Sequence, residues 1–272
     1  MGQSAVEGPT HVVALVDGVH LVHAAAVHPR VARSSSVFEG IQHGGWFAVA
    51  QWHDELTAAH DVGALMVLDC IASGCVWVDM KKTGVDVLIS APQKGWSATP
   101  AAGLVMLSEN AMQRMAETTS NSFALDLKKW HSIMAAYENG GHAYHATMPT
   151  DSLVAFRDTM AETRDYGFEK LREAQWALGN GVREMLAAKG IRSVAAKGFA
   201  APGVVVSYTD DPDVQNGKKF AALGMQIAAG VPLQCDEPAD FRTFRLGLFG
   251  LDKLYDVEGT IARLKGVVDQ VL

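Results

Sequence analysis

Leu88-Ile89-Ser90-Ala91-Pro92-Gln93-Lys94-Gly95-Trp96-Ser97 is an apolar run that closes in a small polar turn carrying one lysine. The run begins earlier, at Val85-Asp86-Val87, and reads as a β-strand. Upstream, Ala64-Leu65-Met66-Val67-Leu68 is a second such run and ends in Asp69. A carboxylate and an amine therefore each stand just past the C-terminal end of a candidate strand. In open α/β sheets ligands bind at that edge.

Working outward, strands are predicted at 64–69, 76–78, 85–90 and 103–107, with one or two more in 10–24. Helices are predicted over 54–62, stopped by Gly63, over 108–117, opened by Ser108 with Glu109, and over 126–138, closed by Asn139-Gly140-Gly141. Strands interleaved with helices predict an α/β fold with a mainly parallel sheet and covering helices. Thr150 then caps a long helical stretch that is interrupted around Tyr166-Gly167. It resumes through Leu171, Trp176, Val182 and Leu186 and ends at Gly190. A strand at 203–208, a helix near 216–223, short strands near 225–228 and at 243–248 and an amphipathic helix from Glu258 predict a smaller C-terminal α+β domain. The expected division is a divergent segment over 1–55, a partial cofactor-binding large domain over 56–160 and a small domain over 161–272.

An amine and a carboxylate at one sheet edge are what a pyridoxal phosphate enzyme needs. The lysine forms a Schiff base with the aldehyde, and the acid keeps the pyridine nitrogen protonated so that the ring accepts electrons. The surrounding motifs agree. Val67-Leu68-Asp69-Cys70-Ile71-Ala72-Ser73-Gly74, Gly84 to Ser90, Gln93-Lys94, Pro100 to Val105, Tyr144-His145-Ala146-Thr147-Met148-Pro149 and Phe244-Arg245-Leu246-Gly247-Leu248-Phe249-Gly250 follow one another in order. Together they resemble the class V aminotransferases of the fold-type I pyridoxal phosphate enzymes, in the alanine–glyoxylate and serine–pyruvate branch. The resemblance covers about residues 56–272.

It implies Lys94 as the covalent and proton-carrying residue, Asp69 at the pyridine nitrogen, Ile71 under the ring and Gln93 at the cofactor phosphate. It implies a homodimer in which Tyr144 and Thr147 reach the partner's phosphate, and Arg245 as the fork that grips the substrate α-carboxylate. The reaction implied moves an amino group from alanine or serine to glyoxylate or pyruvate, through a ping-pong sequence. No equivalent of the family's phosphate loop, ring-stacking aromatic or phenolic-oxygen contact is found. Ser34-Ser35-Ser36 and Gly44-Gly45-Trp46 come nearest. The chain thus reads as lacking roughly the first third of the large domain, with an unpaired sheet edge left open. A catalytically inactive, truncated homologue is the alternative. A cysteine desulfurase-like lyase, which would use Cys235, is a weaker one.

Composition narrows the rest. The formal net charge of −7, without a long basic run, argues against nucleic acid and anionic membrane as partners. Cys70, Cys75 and Cys235 make no C-x-x-C pair, which fits a reducing, cytoplasmic setting. Apolar stretches are too short to span a membrane, and Met1 to Glu7 lack the basic start of a signal peptide. His11, His20, His23, His28, His43, His53 and His60 crowd the first 60 residues without metal-binding spacing, so no metal is expected.

Overall fold

The computed structural model describes residues 11–15, 59–232 and 237–272, the first of these as backbone. Four strands form one sheet: β1 (His11–Leu15), β2 (Val67–Asp69), β3 (Val87–Ser90) and β4 (Gly103–Leu107), in the order β1-β4-β3-β2. β2 and β3 are parallel, with Asp69 opposite Ile89. β4 runs antiparallel to β3, with Ile89 opposite Val105, and also to β1.

The α/β class stands, but over the described strands the sheet is mixed rather than mainly parallel. The cause lies between Ala91 and Ala102, where the chain turns back without a helix. Only a crossover connection, usually helical, returns the next strand in the same direction. Between β2 and β3 there is such a crossover, containing the one-turn helix α1 (Met80–Thr83). Asp79 caps it by accepting from Lys82 N at 3.1 Å, and Gly84, at φ 77°, ends it. The strand expected at 76–78 does not form. Cys75 N is already engaged by the side chain of Gln175, and Trp77 turns into a cluster of rings.

α2 (Glu109–Ala116) starts where Ser108 Oγ accepts from Ala111 N at 3.1 Å, and α3 (Leu127–Glu138) where Asp126 accepts from Lys129 N at 2.9 Å. The opening at Ser108 is as expected, while Asp126, read as the first residue of its helix, is the cap before it. Ala111 and Trp130 cover Val105 and Leu107 on one sheet face, while Leu68, Cys70, Val85 and Leu88 cluster together in a second core. Side chains alternate across a strand. Asp69 is therefore on the face of its in-register neighbours Ile89 and Val105, opposite to Leu68 and Leu88.

α4 (Thr150–Tyr166) and α5 (Phe168–Ala187) are divided by Gly167, whose φ of 111° suits only glycine. Thr150 is not the cap. It is the first helical residue, and Pro149 before it offers no side-chain hydrogen bond. A second sheet, β5 (Val204–Tyr208), β6 (Ala228–Ala229) and β7 (Thr243–Gly247), is antiparallel in the order β5-β7-β6. α6 (Pro212–Gln215), α7 (Lys218–Ala221), α8 (Leu251–Leu254) and α9 (Val257–Val271) complete this part. Leu171, Leu178 and Val182 of α5 pack on Val205, Phe220, Phe244 and Val268 with no exposure at all. The buried stripe of α5 is thus 171, 175, 178, 179, 182 and 186. Trp176, expected to face inward, lies beside it, and the polar Gln175 occupies its centre. Among the described residues no helix is long and apolar enough to cross a membrane.

Candidate active site

Asp69 is the last residue of β2 and is buried. Its Oδ1 accepts from Ile71 N at 2.9 Å, which closes the turn after the strand. Among the described residues its second oxygen has no hydrogen-bond partner. Lys94 follows the adjacent parallel strand, in the turn five residues past Ile89, the register partner of Asp69. It is half-buried, with Nζ 5.4 Å from the centre of the Phe249 ring, close enough for a cation–π attraction. No carboxylate pairs with Lys94 among the described residues. Ile71 is half-buried, and Gln93 is exposed.

Each residue after Lys94 is fixed to a different neighbour. Gly95 lies so close to Gly74 that a Cβ would overlap the Gly74 carbonyl, and its own carbonyl accepts from Cys75 Sγ at 3.4 Å. Trp96 packs tilted against Trp77 at 4.8 Å and meets Phe156 at 6.0 Å, while Trp77 meets Phe168 at 5.1 Å and donates from Nε1 to Phe168 O at 3.0 Å. The α4–α5 junction is thereby pinned to the lysine loop. Ser97 adopts φ 61°, uncommon for a residue with a side chain, and its Oγ accepts from Leu251 N at 2.9 Å. Gly95→Ala is expected to cost about 2 kcal/mol or more by overpacking against backbone that cannot yield. A urea melt checks it, and a midpoint within error of the unaltered chain would contradict it.

Burial pushes the thiols of Cys70 and Cys75 up to about 12, and the nearby Asp69 charge adds to the rise at Cys70. Both stay protonated at neutral pH and are not nucleophiles. Cys235 lies outside the described residues, as do Ser34-Ser35-Ser36, Gly44-Gly45-Trp46 and the histidines at 20, 23, 28, 43 and 53.

Arg245 stands in β7, where Nε donates to Ala229 O at 2.8 Å. Its two terminal nitrogens have no partner among the described residues. Two residues past the end of the strand comes Phe249, beside Lys94. Tyr144 is 75% exposed, and its hydroxyl lies 3.2 Å from Thr147 Oγ1. The fold therefore brings Asp69, Ile71, Gln93 and Lys94 to one sheet edge and brings the strand of Arg245 up to it through Phe249. Tyr144 and Thr147 pair with each other at the surface and make no hydrogen bond to Asp69, Lys94 or Arg245.

Sequence reading missed Phe249 as the ring beside the lysine, and Gly95, Cys75 and Gln175 as its supports. Gln175 left a signal, a lone polar residue at helical spacing between Leu171, Leu178 and Val182. Phe249 left none, because a ring after an apolar strand reads as core.

No protein-family model matches the chain. Among curated proteins, the 2-aminoethylphosphonate–pyruvate transaminase of Paraburkholderia phymatum is 26% identical over 214 residues, which are 77% of this chain and 56% of that protein. The alanine–glyoxylate aminotransferase of Felis catus is 31% identical over 113 residues, 40% of this chain and 27% of that protein. Among solved structures, ureidoglycine–glyoxylate aminotransferase from Bacillus subtilis superposes with a TM-score of 0.66 at 18% identity, covering 89% of this chain and 63% of that one. The chain spans about half the length of the 2-aminoethylphosphonate–pyruvate transaminases it matches.

Proposed function

We propose that this chain, kin to the class V-like, pyridoxal phosphate-dependent aminotransferases, binds pyridoxal phosphate through Lys94 and Asp69 and transfers an amino group to a small 2-oxo acid. The observation that carries the reading is the position of the two residues, Asp69 at and Lys94 past the C-terminal ends of adjacent parallel strands, each with a polar end that has no hydrogen-bond or ion-pair partner among the described residues. They fit the cofactor. A carboxylate fixed through one oxygen can receive a ring N–H on the other, and an unpaired lysine amine can join the aldehyde. When bound, the cofactor supplies an electron sink for the substrate's α-carbon.

This chain's own groups do the remainder. Lys94, once released, carries the proton to and from the α-carbon. Arg245 holds the substrate carboxylate with its two terminal nitrogens, which have no partner among the described residues. Gln93 and, from the partner protomer of a homodimer, Tyr144 and Thr147 donate to the phosphate. Their exposure supports that role, as does that of Phe123, which packs on His145 between Tyr144 and Thr147. The names of the two curated relatives given above pair an amine that varies with pyruvate or glyoxylate. The acceptor is accordingly a small 2-oxo acid, with alanine or serine as donor.

The test is a visible absorption band on adding pyridoxal phosphate, bleached by the amino acid donor and restored by glyoxylate or pyruvate. The second reading, a homologue without catalysis, is favoured by the match to about half of the relative's length. It predicts no band, and a Lys94→Ala variant identical to the unaltered chain.

Two substitutions probe the outlying residues. Arg245→Ala is expected to raise KM for the amino acid about 100-fold, since a bidentate charge-assisted pair is worth about 3 kcal/mol. Steady-state kinetics over a range of donor concentrations checks this, and an unchanged KM would remove Arg245 from the site. Tyr144→Phe is expected to weaken cofactor binding about tenfold, the loss of one hydrogen bond to a charged group. Equilibrium titration of the visible band checks it, with sedimentation to confirm the dimer.

A further inference from the structure

Gln175 is the only polar residue on the buried stripe of α5 and has no exposure at all. A buried amide is tolerated only when its hydrogen bonds are made, and here three are. Oε1 accepts from Cys75 N at 3.3 Å, and Nε2 donates to Pro202 O at 3.1 Å and to Leu248 O at 3.2 Å. The amide therefore joins the turn after β2, the approach to β5 and the exit of β7. Two of these partners lead directly to Lys94. Cys75 bonds through Sγ to the carbonyl of Gly95, the next residue after the lysine. Leu248 precedes Phe249, whose ring lies 5.4 Å from Lys94 Nζ. Packing leaves no slack, for a Cβ on Gly74 would come within 2.5 Å of Gln175 Oε1.

We propose that Gln175 is a positioning residue for Lys94, clamping from behind both the loop that carries the amine and the ring beside it. The proposal rests on the reading of Lys94 as the cofactor-bearing amine. A satisfied polar junction selects one arrangement where an apolar side chain would accept several. Placement matters here because a shift of about 1 Å at reacting atoms costs on the order of 100-fold in rate.

The test uses Gln175→Met, which keeps length and bulk but removes all three bonds. Ser97 N donates to Lys94 O and Ala98 N to Pro92 O, so these two amides report on the lysine loop. Hydrogen exchange without cofactor is expected to be about tenfold faster at Cys75, Ser97 and Ala98, with β4 amides unchanged, as for the loss of one or two net hydrogen bonds. With cofactor added, its dissociation constant is expected to rise about tenfold and the pH midpoint of the visible band to shift. Faster exchange at Cys75 alone, with Ser97 and Ala98 unmoved, would overturn the clamp. Should the variant fail to fold, native-state exchange on the unaltered chain decides instead. Cys75, Ser97 and Ala98 must then open together with one denaturant dependence, and separate openings refute the proposal. Exchange needs no cofactor, so a missing visible band in the unaltered chain would count against Lys94 as the cofactor's amine and not be mistaken for failure of the clamp.

Discussion

Lys94→Ala is expected to lower amino-group transfer by about 10⁴-fold or more while leaving the melting temperature within a few degrees. The kinetic loss follows from two roles vested in one amine, covalent attachment of the cofactor and proton transfer at the α-carbon, which fail together. The stability change is small because the side chain has little to lose. It makes no ion pair among the described residues, and a single half-buried cation–π contact with Phe249 is worth about 1 kcal/mol. Lys94→Arg separates charge from chemistry. It keeps a cation near the ring yet is expected to stay inactive, since a guanidinium remains protonated and cannot form the attachment. Transaminase assays on both variants, beside spectra of each with added cofactor, decide the matter. Activity in Lys94→Ala within tenfold of the unaltered chain would end the reading of this residue as catalytic.

The sequence announced those parts of the molecule in which one local signal dominates. Ser108 and Asp126 mark helix starts because a short oxygen-bearing side chain satisfies a free N–H there, whereas the last helix, expected from about Glu258, begins at Val257 behind the cap Asp256. Gly167 marks the break between α4 and α5 because no side chain fits its backbone. Asp69 and Lys94 were legible because polar residues directly after apolar strands are conspicuous. Strand direction was not legible. Val85 to Ile89 and Gly103 to Leu107 have the same apolar character whether they run parallel or antiparallel, and only the absence of a helix between them separated the cases. The 76–78 segment failed for a related reason. Its β-branched and aromatic residues suit a strand, but Gln175, a hundred residues away, had claimed the backbone at Cys75. Such a contact is a property of the packed chain and leaves no local mark at Cys75.

Asp86→Ala is expected to destabilise the fold by about 3 kcal/mol or more, without altering the spectrum of bound cofactor. Asp86 is buried just before β3, at the end of that strand remote from Lys94. Its Oδ2 accepts from Met66 N at 2.9 Å and lies 2.8 Å from His60 Nε2, and its Oδ1 accepts from Ser108 Oγ and Asn110 Nδ2, both at 3.0 Å. One carboxylate thus binds the entry to β2 and the start of α2 to β3. Truncation orphans four donors, and each one left buried costs about 1 kcal/mol or more. Burial by itself would raise this carboxyl's pKa, but the bonds from Met66, His60, Asn110 and Ser108 outweigh it and hold it below the ordinary carboxylate range. A folded-state pKa below the unfolded one means that the stabilisation is complete above the unfolded value, about 4. It is lost as pH falls through the folded value. Chemical melts of the unaltered chain and of Asp86→Ala should accordingly converge as pH is lowered from 5 towards 3. A constant gap between them over that interval would mean that the carboxylate's charge plays no part in holding these elements together.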